Sequence, residues 1–267
     1  MDKGQDILWC DSGRTALEAC LKHLGLKPQD EVLIVTTTNG PYISGCVTKT
    51  IEKNCRWSRT LNSRTRLGLV IHEFGFPCPQ KKFLPLQQHN IPILEDCAYA
   101  FGSRTEGADI GCFGQFGLYS FPKYFPVPFG GILVAQEKIN LPFKKAYQIS
   151  PGAEKLLHNT LHNSLKEIKG WNKKRREYWQ LFAKALRAPG LIPYFSLAKG
   201  VVPGVYLTRV PQQFPGEQIK EKLNLLGIES TQYYNQHGFY FPCHQFLTPY
   251  ETSYILHHFI ASLVNVL

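Results

Sequence analysis

The chain has 267 residues, of which 43% are hydrophobic and 19% are charged, and its net charge is +10. This length suits one large domain, or a main domain with a smaller one, and the composition excludes extended disorder and low complexity. No apolar run approaches the roughly 18 residues of a membrane span, and the opening residues lack the apolar core of a signal peptide. The sequence therefore predicts a globular cytoplasmic protein.

The eight cysteines are scattered through apolar segments of the sequence. They form neither CxxC pairs nor Cys/His clusters at zinc spacing, so we predict no metal site. We interpret them as reduced side chains in the core.

The positive charge favours an anionic partner, which can be a phosphorylated metabolite, a nucleic acid or an acidic lipid surface. The densest basic run, residues 166–186, carries apolar residues at near-helical spacing. This pattern favours the solvated face of an amphipathic helix over a site for nucleic acid or membrane.

Helices and short apolar strands alternate along the first half of the chain. We predict a helix from about Thr15 to Leu24 and a strand from Glu31 to Thr36. Buried strands are also predicted at Leu67 to Ile71 and at Ile91 to Leu94, each followed by polar residues and a glycine. Two further strands flank Lys123. The pattern predicts an α/β fold with a mostly parallel sheet flanked by helices, which binds ligands at one edge.

The pattern changes after about Asn140, where a long amphipathic helix precedes a region interrupted by prolines and glycines. A last helix is predicted from about Pro249 onward. We therefore predict a large domain over residues 1–165, and a linking helix with a small C-terminal α/β domain over residues 166–267.

The first candidate functional site is the turn that precedes the first predicted helix. Ser12, Gly13, Arg14 and Thr15 bring backbone N–H groups, two hydroxyls and a guanidinium to one place, which suits a phosphate group. The alternative is that Ser12 or Thr15 only caps the helix.

Asp96 and Lys123 are the other two candidates. Asp96 ends an apolar strand, where a buried carboxylate needs a cationic or proton-donating partner such as the pyridine nitrogen of pyridoxal phosphate. Lys123 lies in "YSFPKYFPVPFGG", where we expect apolar surroundings to lower the pKa of its amine and allow a Schiff base with an aldehyde. The alternatives are a capping or salt-bridged aspartate and an ordinary surface lysine.

These segments, in this order, resemble the DegT/DnrJ/EryC1/StrS family of sugar aminotransferases, which use pyridoxal phosphate and have the aspartate aminotransferase fold, called fold type I. "SGRTALEACLKHLGLKPQDEVLI" is similar to the family's phosphate-binding turn, helix and strand, and "RTRLGLVIHEFGFPC" to its next strand. "ILEDCAYAFGSRTEGADIGCFGQFGLYSFPKYFPVPFGGILV" resembles the segment from its acidic strand to its cofactor lysine and Gly-Gly strand. "NKKRREYWQLFAKAL" resembles the linking helix and "FYFPCHQFLTPYE" a segment near the C-terminus.

The resemblance implies roles for particular residues. Lys123 would bind the cofactor as a Schiff base and then move the substrate proton, while Asp96 would pair with the pyridine nitrogen. The residues implied to hold the phosphate are Ser12, Gly13, Arg14 and Ser120. Asn39 stands where the family has an aromatic residue stacked on the ring, with Tyr42 as the nearest aromatic substitute. Tyr99 stands where a residue of the family contacts the hydroxyl of the cofactor ring. The phenol of Tyr99 can also donate a hydrogen bond to that hydroxyl.

The resemblance also implies a homodimeric aminotransferase that moves an amino group from a donor such as glutamate to a keto sugar, expected to be nucleotide-linked. It implies no nucleic-acid partner and no membrane insertion. One alternative is a degenerate family member that keeps the fold and serves as a binding or regulatory subunit, motivated by the short chain and by Asn39. Another is a nucleic-acid- or membrane-associated α/β protein that uses the basic helix at residues 166–187.

Overall fold

The structure is a computed structural model that describes residues 5–105, 108–136, 138 and 141–263. The strands are β1 (Asp6–Cys10), β2 (Glu31–Thr36), β3 (Arg56–Ser58), β4 (Thr65–Ile71), β5 (Ile93–Asp96), β6 (Arg104–Thr105), β7 (Ala108–Asp109), β8 (Phe116–Ser120), β9 (Gly131–Ala135), β10 (Val205–Arg209), β11 (Thr231–Tyr233) and β12 (Gly238–Pro242). The helices are α1 (Gly13–His23), α2 (Gly45–Glu52), α3 (Leu84–Gln88), α4 (Leu141–Tyr147), α5 (Pro151–Leu165), α6 (Ile168–Ala185), α7 (Gly216–Leu225) and α8 (Pro249–Leu263). Single 3₁₀ turns lie at Glu73–Gly75, Gln80–Lys82 and Phe121–Lys123.

A large sheet has the strand order β1-β9-β8-β5-β4-β2-β3, and a smaller sheet has the order β10-β12-β11. In the large sheet β3, β2, β4, β5 and β8 pair in parallel, whereas β9 is antiparallel to both of its neighbours. The predicted fold class is therefore confirmed as an α/β architecture with a mostly parallel sheet flanked by helices.

The predicted elements of the first half agree with the structure except at their ends. The first helix begins at Gly13, two residues earlier than predicted, because the hydroxyl of Ser12 accepts a hydrogen bond from the N–H of Thr15 and caps it. The strand predicted from Ile91 begins at Ile93, after Pro92, which has no N–H to donate to a neighbouring strand. Helices α2 and α5 were not predicted.

The large sheet is covered on both faces, which explains the continuous apolar runs in its strands. Val32 and Ile34 of β2 pack in one core with α1. Leu33 and Val35 of β2 pack in a second core with Phe83, the residue just before α3. Because side chains alternate between the faces of a strand, a run that is buried on both sides must be apolar at every position. The sheet is thus a rigid base for residues at the ends of its strands.

A separate core joins the smaller sheet to α6, α7 and α8. Phe182 of α6 and Phe259 of α8 pack against Phe239 and Phe241 of β12. Phe76, from the turn after β4, joins this core, so the two halves of the chain are packed together. The division at residue 165 stays a prediction.

Two predictions about the surface can be compared with the structure. Among the described residues, no helix is both long enough and apolar enough to cross a membrane. Six cysteines are buried, but Cys46 and Cys112 are exposed. The prediction that all eight cysteines are core side chains is therefore wrong for these two, which lie outside the sheet and helix cores.

Candidate active site

A cavity of about 830 Å³ lies at the carboxyl edge of the parallel strands. Its walls come from the start of α1, the ends of β4, β5 and β8, the loop after β8, and Tyr240 of β12. Seven of the eight predicted site residues line it, namely Ser12, Gly13, Arg14, Asp96, Tyr99, Ser120 and Lys123. Parallel strands that end at one edge therefore bring together residues that are far apart in the sequence, as expected for an open α/β sheet.

Asn39, the eighth predicted residue, is not among the residues that line this cavity. Its φ is +61°, and its N–H donates to the hydroxyl of Thr36 at 3.1 Å. This left-handed conformation suits asparagine, and it explains the residue as part of a turn after β2. The position of Asn39 does not support a cofactor contact, whereas Tyr42 does line the cavity.

Asp96 is the last residue of β5 and lies between Ile71 of β4 and Leu118 of β8. Its side chain is buried, and Oδ1 accepts a hydrogen bond from the N–H of Ala98 at 2.9 Å. Burial raises the pKa of this carboxyl, and the hydrogen bond from Ala98 offsets part of the increase. Within the described part of the chain, no lysine or arginine forms an ion pair with Asp96. The carboxylate is thus available to a cationic or proton-donating group in the cavity.

Glu95, its neighbour in β5, points away from this edge and is fully hydrogen-bonded. Its carboxylate accepts from His72 Nε2 at 3.0 Å and from three backbone N–H groups, those of Gly111 (3.0 Å), Phe113 (2.6 Å) and Gly114 (2.8 Å). Burial raises the pKa of Glu95, but these hydrogen bonds outweigh it and hold the pKa below its usual value. Because the N–H of Cys78 donates to His72 Nδ1 at 3.0 Å, the ring proton lies on Nε2 and faces Glu95. Glu95 and His72 are therefore structural partners that leave no oxygen or nitrogen for a ligand.

The start of α1 forms a cup beside Ser120. Gly13 and Arg14 open the helix, so their N–H groups have no carbonyl one turn earlier to bond. A Cβ on Gly13 would lie 3.2 Å from Ser120 Cβ, so glycine lets the helix start and β8 approach closely. Ser12 does cap the helix, with Oγ accepting from the N–H of Thr15 at 3.2 Å. Both interpretations of this turn hold, because a capping serine and an amide cup lie at the same helix end.

Lys123 ends the 3₁₀ turn that follows β8, and its amine lies 4.8 Å from the ring centroid of Tyr99. Burial has the largest effect on this amine and lowers its pKa, but Tyr99, with smaller contributions from Glu229 and Cys46, raises it, and the net direction is upward. The expected lowering of the pKa is therefore wrong for the ligand-free chain. Apolar neighbours dominate the printed sequence around Lys123, whereas its polar neighbour in space is Tyr99, 24 residues earlier.

Sequence reasoning missed several residues at the cavity. Glu73 lines it and accepts hydrogen bonds from the N–H of Thr38 at 2.6 Å and from the hydroxyl of Tyr233 at 2.5 Å. Tyr240 of β12 reaches it from the smaller sheet. The two hydrogen bonds of Glu73 join residues that are 35 and 160 positions apart, so no local pattern in the sequence predicts them.

Part of this chain is similar in sequence to a known family of enzymes. Residues 55–139, which include Asp96 and Lys123, match the family model of the DegT/DnrJ/EryC1/StrS aminotransferase family. The predicted family resemblance is confirmed. The matched segment begins one residue before β3 and runs beyond β9, the strand that follows the lysine loop.

Two relatives of this chain show how far the similarity extends. GDP-perosamine synthase from Escherichia coli O157:H7 is 29% identical over 143 residues, which cover 48% of this chain and 39% of that protein. UDP-N-acetyl-3-dehydro-alpha-D-glucosamine 3-aminotransferase from Acidithiobacillus ferrooxidans is 29% identical over 126 residues, covering 42% of this chain and 34% of that protein. The alignments thus span well under half the length of these relatives.

Solved structures match nearly the whole chain. The aminotransferase TlmJ from Streptoalloteichus hindustanus matches with a TM-score of 0.78 at 16% identity, over 98% of this chain and 86% of that one. The sugar aminotransferase Spr1654 from Streptococcus pneumoniae, solved in a PLP form, matches with a TM-score of 0.74 at 15% identity, over 98% and 88% of the two chains. The chain therefore has the fold of these aminotransferases.

Proposed function

We propose that this chain is an aminotransferase that depends on pyridoxal phosphate and transfers an amino group to a keto sugar. The observation that carries the proposal is the shared cavity of Lys123, Asp96 and the amide cup at Gly13. An amine, a buried carboxylate without a cationic partner and an anion cup are the three groups that this cofactor requires.

The cavity residues fit the cofactor group by group. The amine of Lys123 is the group that can bond to the aldehyde, and Asp96 can hold a proton on the pyridine nitrogen. The cofactor, when bound, supplies an electron sink for the bond that breaks at the substrate carbon. Tyr42 replaces Asn39 as the aromatic residue proposed to lie against the ring, because it lines the cavity. Tyr99 lies beside the lysine amine and is proposed to donate to the ring hydroxyl.

The phosphate is proposed to bind at the cup. The N–H groups of Gly13 and Arg14 carry the partial positive charge of the helix start, and Ser12 and Ser120, which both carry hydroxyls, line the same cavity. Asp11, which also lines the cavity, accepts a hydrogen bond from the hydroxyl of Thr15. This bond ties the carboxylate to the first turn of α1, which keeps the helix start in place.

Lys123 is also the proposed carrier of the substrate proton. Once its amine is free of the cofactor, it can remove a proton from the donor's α-carbon and return one to the acceptor. A pKa raised by Tyr99 makes the amine a stronger base, and it requires that the amine lose a proton before it reacts with an aldehyde.

The proposed acceptor is a keto sugar linked to a nucleotide, and the proposed donor is glutamate or a similar amino acid. Support comes from the UDP-sugar named for the Acidithiobacillus relative, from the net charge of +10 and from the size of the cavity, about 830 Å³. A homodimeric assembly and a cytoplasmic location belong to the same proposal.

The test is the absorbance spectrum of the purified protein with added pyridoxal phosphate, beside a Lys123→Ala variant. We expect a band of lysine-bound cofactor in the wild type that the variant lacks, and borohydride followed by peptide mapping should label Lys123. A band that persists unchanged in Lys123→Ala would contradict the assignment of the lysine.

A second candidate function is a binding or regulatory subunit that keeps the fold. It is favoured by one observation, that the residue at the family's stacking position, Asn39, serves a turn instead of the cavity. Addition of glutamate to the cofactor-loaded protein separates the two, because an aminotransferase converts the band to that of the amine form. A band that resists a panel of amino donors supports the second candidate.

A further inference from the structure

Arg175 of α6 is a buried cation, with only 2% of its surface exposed. Among the residues that the structure describes, no carboxylate forms an ion pair with it. Burial lowers the pKa of the guanidinium, which shows how unfavourable this position is for a charge. A buried charge persists only where hydrogen bonds to other groups compensate for the lost water.

The hydrogen bonds of Arg175 converge on the loop that follows the lysine. Nη2 donates to the carbonyl of Lys123 at 3.1 Å, Nη1 donates to the carbonyl of Pro203 at 3.2 Å, and Nε donates to Gln245 Oε1 at 2.6 Å. The guanidinium carbon also lies 4.7 Å from the ring centroid of Tyr124. All three nitrogens of the side chain therefore have hydrogen-bond partners, and these bonds offset the cost of removing the charge from water.

Gln245 completes the arrangement from the other side. Its Nε2 donates to the carbonyl of Tyr124 at 2.6 Å while its Oε1 accepts from Arg175. Two consecutive carbonyls, those of Lys123 and Tyr124, are thus held by two side chains that are bonded to each other. We call this pair, Arg175 with Gln245, the carbonyl clamp.

The clamp acts on a segment without regular secondary structure, where Phe121, Tyr124 and Phe125 anchor the chain in a buried core. After the single 3₁₀ turn Phe121–Lys123, residues 124–130 form neither helix nor strand before β9 begins. A carbonyl held in place fixes the peptide plane, and with it the direction in which the lysine side chain leaves the backbone. The clamp is therefore one of the contacts that set where the amine of Lys123 lies in the cavity, and it is the one that holds the lysine carbonyl directly.

We propose that Arg175 is a positioning residue for Lys123, which holds the lysine backbone so that the amine meets the aldehyde of the bound cofactor. This inference rests on the proposed function. The guanidinium also interacts electrostatically with Tyr99, the cavity residue over whose ring the lysine amine lies. A purely structural arginine would hold α6 to the loop without influence on the chemistry of the lysine.

The experiment compares Arg175→Met and Arg175→Lys with the matched control Arg176→Met. Arg176 is next in α6 and also donates to backbone carbonyls, those of Ala198 at 2.9 Å and Val201 at 2.6 Å, but these lie in a different loop. Three quantities are measured: the thermal midpoint of the ligand-free protein, the fraction of bound cofactor that borohydride fixes to Lys123, and the pH midpoint of the band of lysine-bound cofactor.

We expect Arg175→Met to reduce the fraction fixed to Lys123 by about tenfold, the usual effect of losing a hydrogen bond from a charged group. We also expect the pH midpoint of the band to move upward, because a nearby positive charge that disfavoured the protonated form is gone. Arg175→Lys restores the charge but not the fork of donors, so its pH midpoint should return toward that of the wild type while its labelled fraction stays low. Arg176→Met should change the thermal midpoint alone.

A folded Arg175→Met protein with the wild-type labelled fraction and the wild-type pH midpoint would overturn the proposal. If Arg175→Met does not fold, Arg175→Lys decides, because it keeps the charge without the fork of donors; a wild-type labelled fraction there would overturn the proposal equally. A wild-type protein that shows no band at all would instead refute the proposed function, which keeps the two failures distinct.

Discussion

Glu95 and Asp96 are adjacent in β5, yet their carboxylates have opposite surroundings. Glu95 accepts four hydrogen bonds on one side of the strand, whereas Asp96 accepts one and faces the cavity. As a result, the pKa of Glu95 is held below its usual value and that of Asp96 is raised by burial. Glu95 therefore stabilises the fold, whereas the burial of Asp96 lowers the stability of the folded protein.

The two acids should therefore respond to pH in opposite ways in the ligand-free protein. A raised pKa means that the folded state keeps a proton that the unfolded state releases, so the burial of Asp96 costs stability as pH rises above about 4. We expect Asp96→Asn to raise the free energy of unfolding by about 1 kcal/mol at pH 7 and to have little effect at pH 4. The lowered pKa of Glu95 contributes stability above its unfolded pKa, and that stability is lost as pH falls through its folded value.

Glu95→Gln should accordingly lower the free energy of unfolding by about 3 kcal/mol at pH 7 and by less in acid. The measurement is urea denaturation of both variants and the wild type, without cofactor, at pH 7 and pH 4. If Asp96→Asn destabilises the protein at pH 7, the description of Asp96 as an unpaired buried acid is wrong. Asp96→Asn should also weaken binding of pyridoxal phosphate, so the same change would stabilise the fold and harm the site.

At the scale of elements, the amide cup depends on how closely α1 approaches the strands on either side of the lysine loop. A Cβ on Gly131 would lie 2.6 Å from the carbonyl oxygen of Tyr119 and 2.8 Å from the nitrogen of Gly13. Both atoms belong to backbone, which cannot move aside as a side chain can. Glycine at this position is therefore a requirement of the cup itself.

Gly131→Ala should lower the free energy of unfolding by about 2 kcal/mol, because the added methyl group must displace the start of α1. It should also weaken binding of inorganic phosphate and of pyridoxal phosphate. The matched control is Gly170→Ala in α6, where an added Cβ meets nothing within 4 Å and should stabilise the helix by up to about 1 kcal/mol. Thermal denaturation and equilibrium dialysis measure both effects, and equal responses of the two variants would refute the steric explanation.

The sequence predicted the positions of helices and strands better than it predicted the spatial neighbours of the site residues. The strand Glu31–Thr36 and the helix from Pro249 were correctly placed, because each has a continuous local signal. The edge at which Asp96 and Lys123 meet also followed from the order of strands and loops. The pKa of Lys123, the displacement of Asn39 from the cavity and the clamp at Arg175 did not, because each depends on a residue distant in the chain that only the folded structure brings near.

At the scale of the molecule, Glu73 and Tyr233 link the edge of the large sheet to the smaller sheet. Tyr233 is buried in β11, and its hydroxyl donates to Glu73 Oε1. The same ring packs edge-on against Tyr42 and Phe74, both of which line the cavity. The cavity wall is thus continuous from one sheet to the other.

Tyr233→Phe should lower the free energy of unfolding by about 2 kcal/mol, since it leaves a buried oxygen of Glu73 without that donor. Tyr234→Phe is the control: its hydroxyl donates to Glu217 at the surface, and its loss should change stability by no more than about 0.5 kcal/mol. We expect Tyr233→Phe also to increase proteolysis between the two sheets. Equal stability of the two variants in urea would contradict a linking role for Tyr233.

The carbonyl clamp has a consequence for the order in which the protein matures. Every proposed cofactor contact lies between Ser12 and Lys123, so a ribosome synthesises all of them before it reaches either residue of the clamp. Arg175 appears 52 residues after the lysine, and Gln245 a further 70. If the proposed function holds, a nascent chain therefore carries all of the proposed cofactor contacts before the clamp can form, and covalent capture of the aldehyde by Lys123 waits until Arg175 and Gln245 have folded into place.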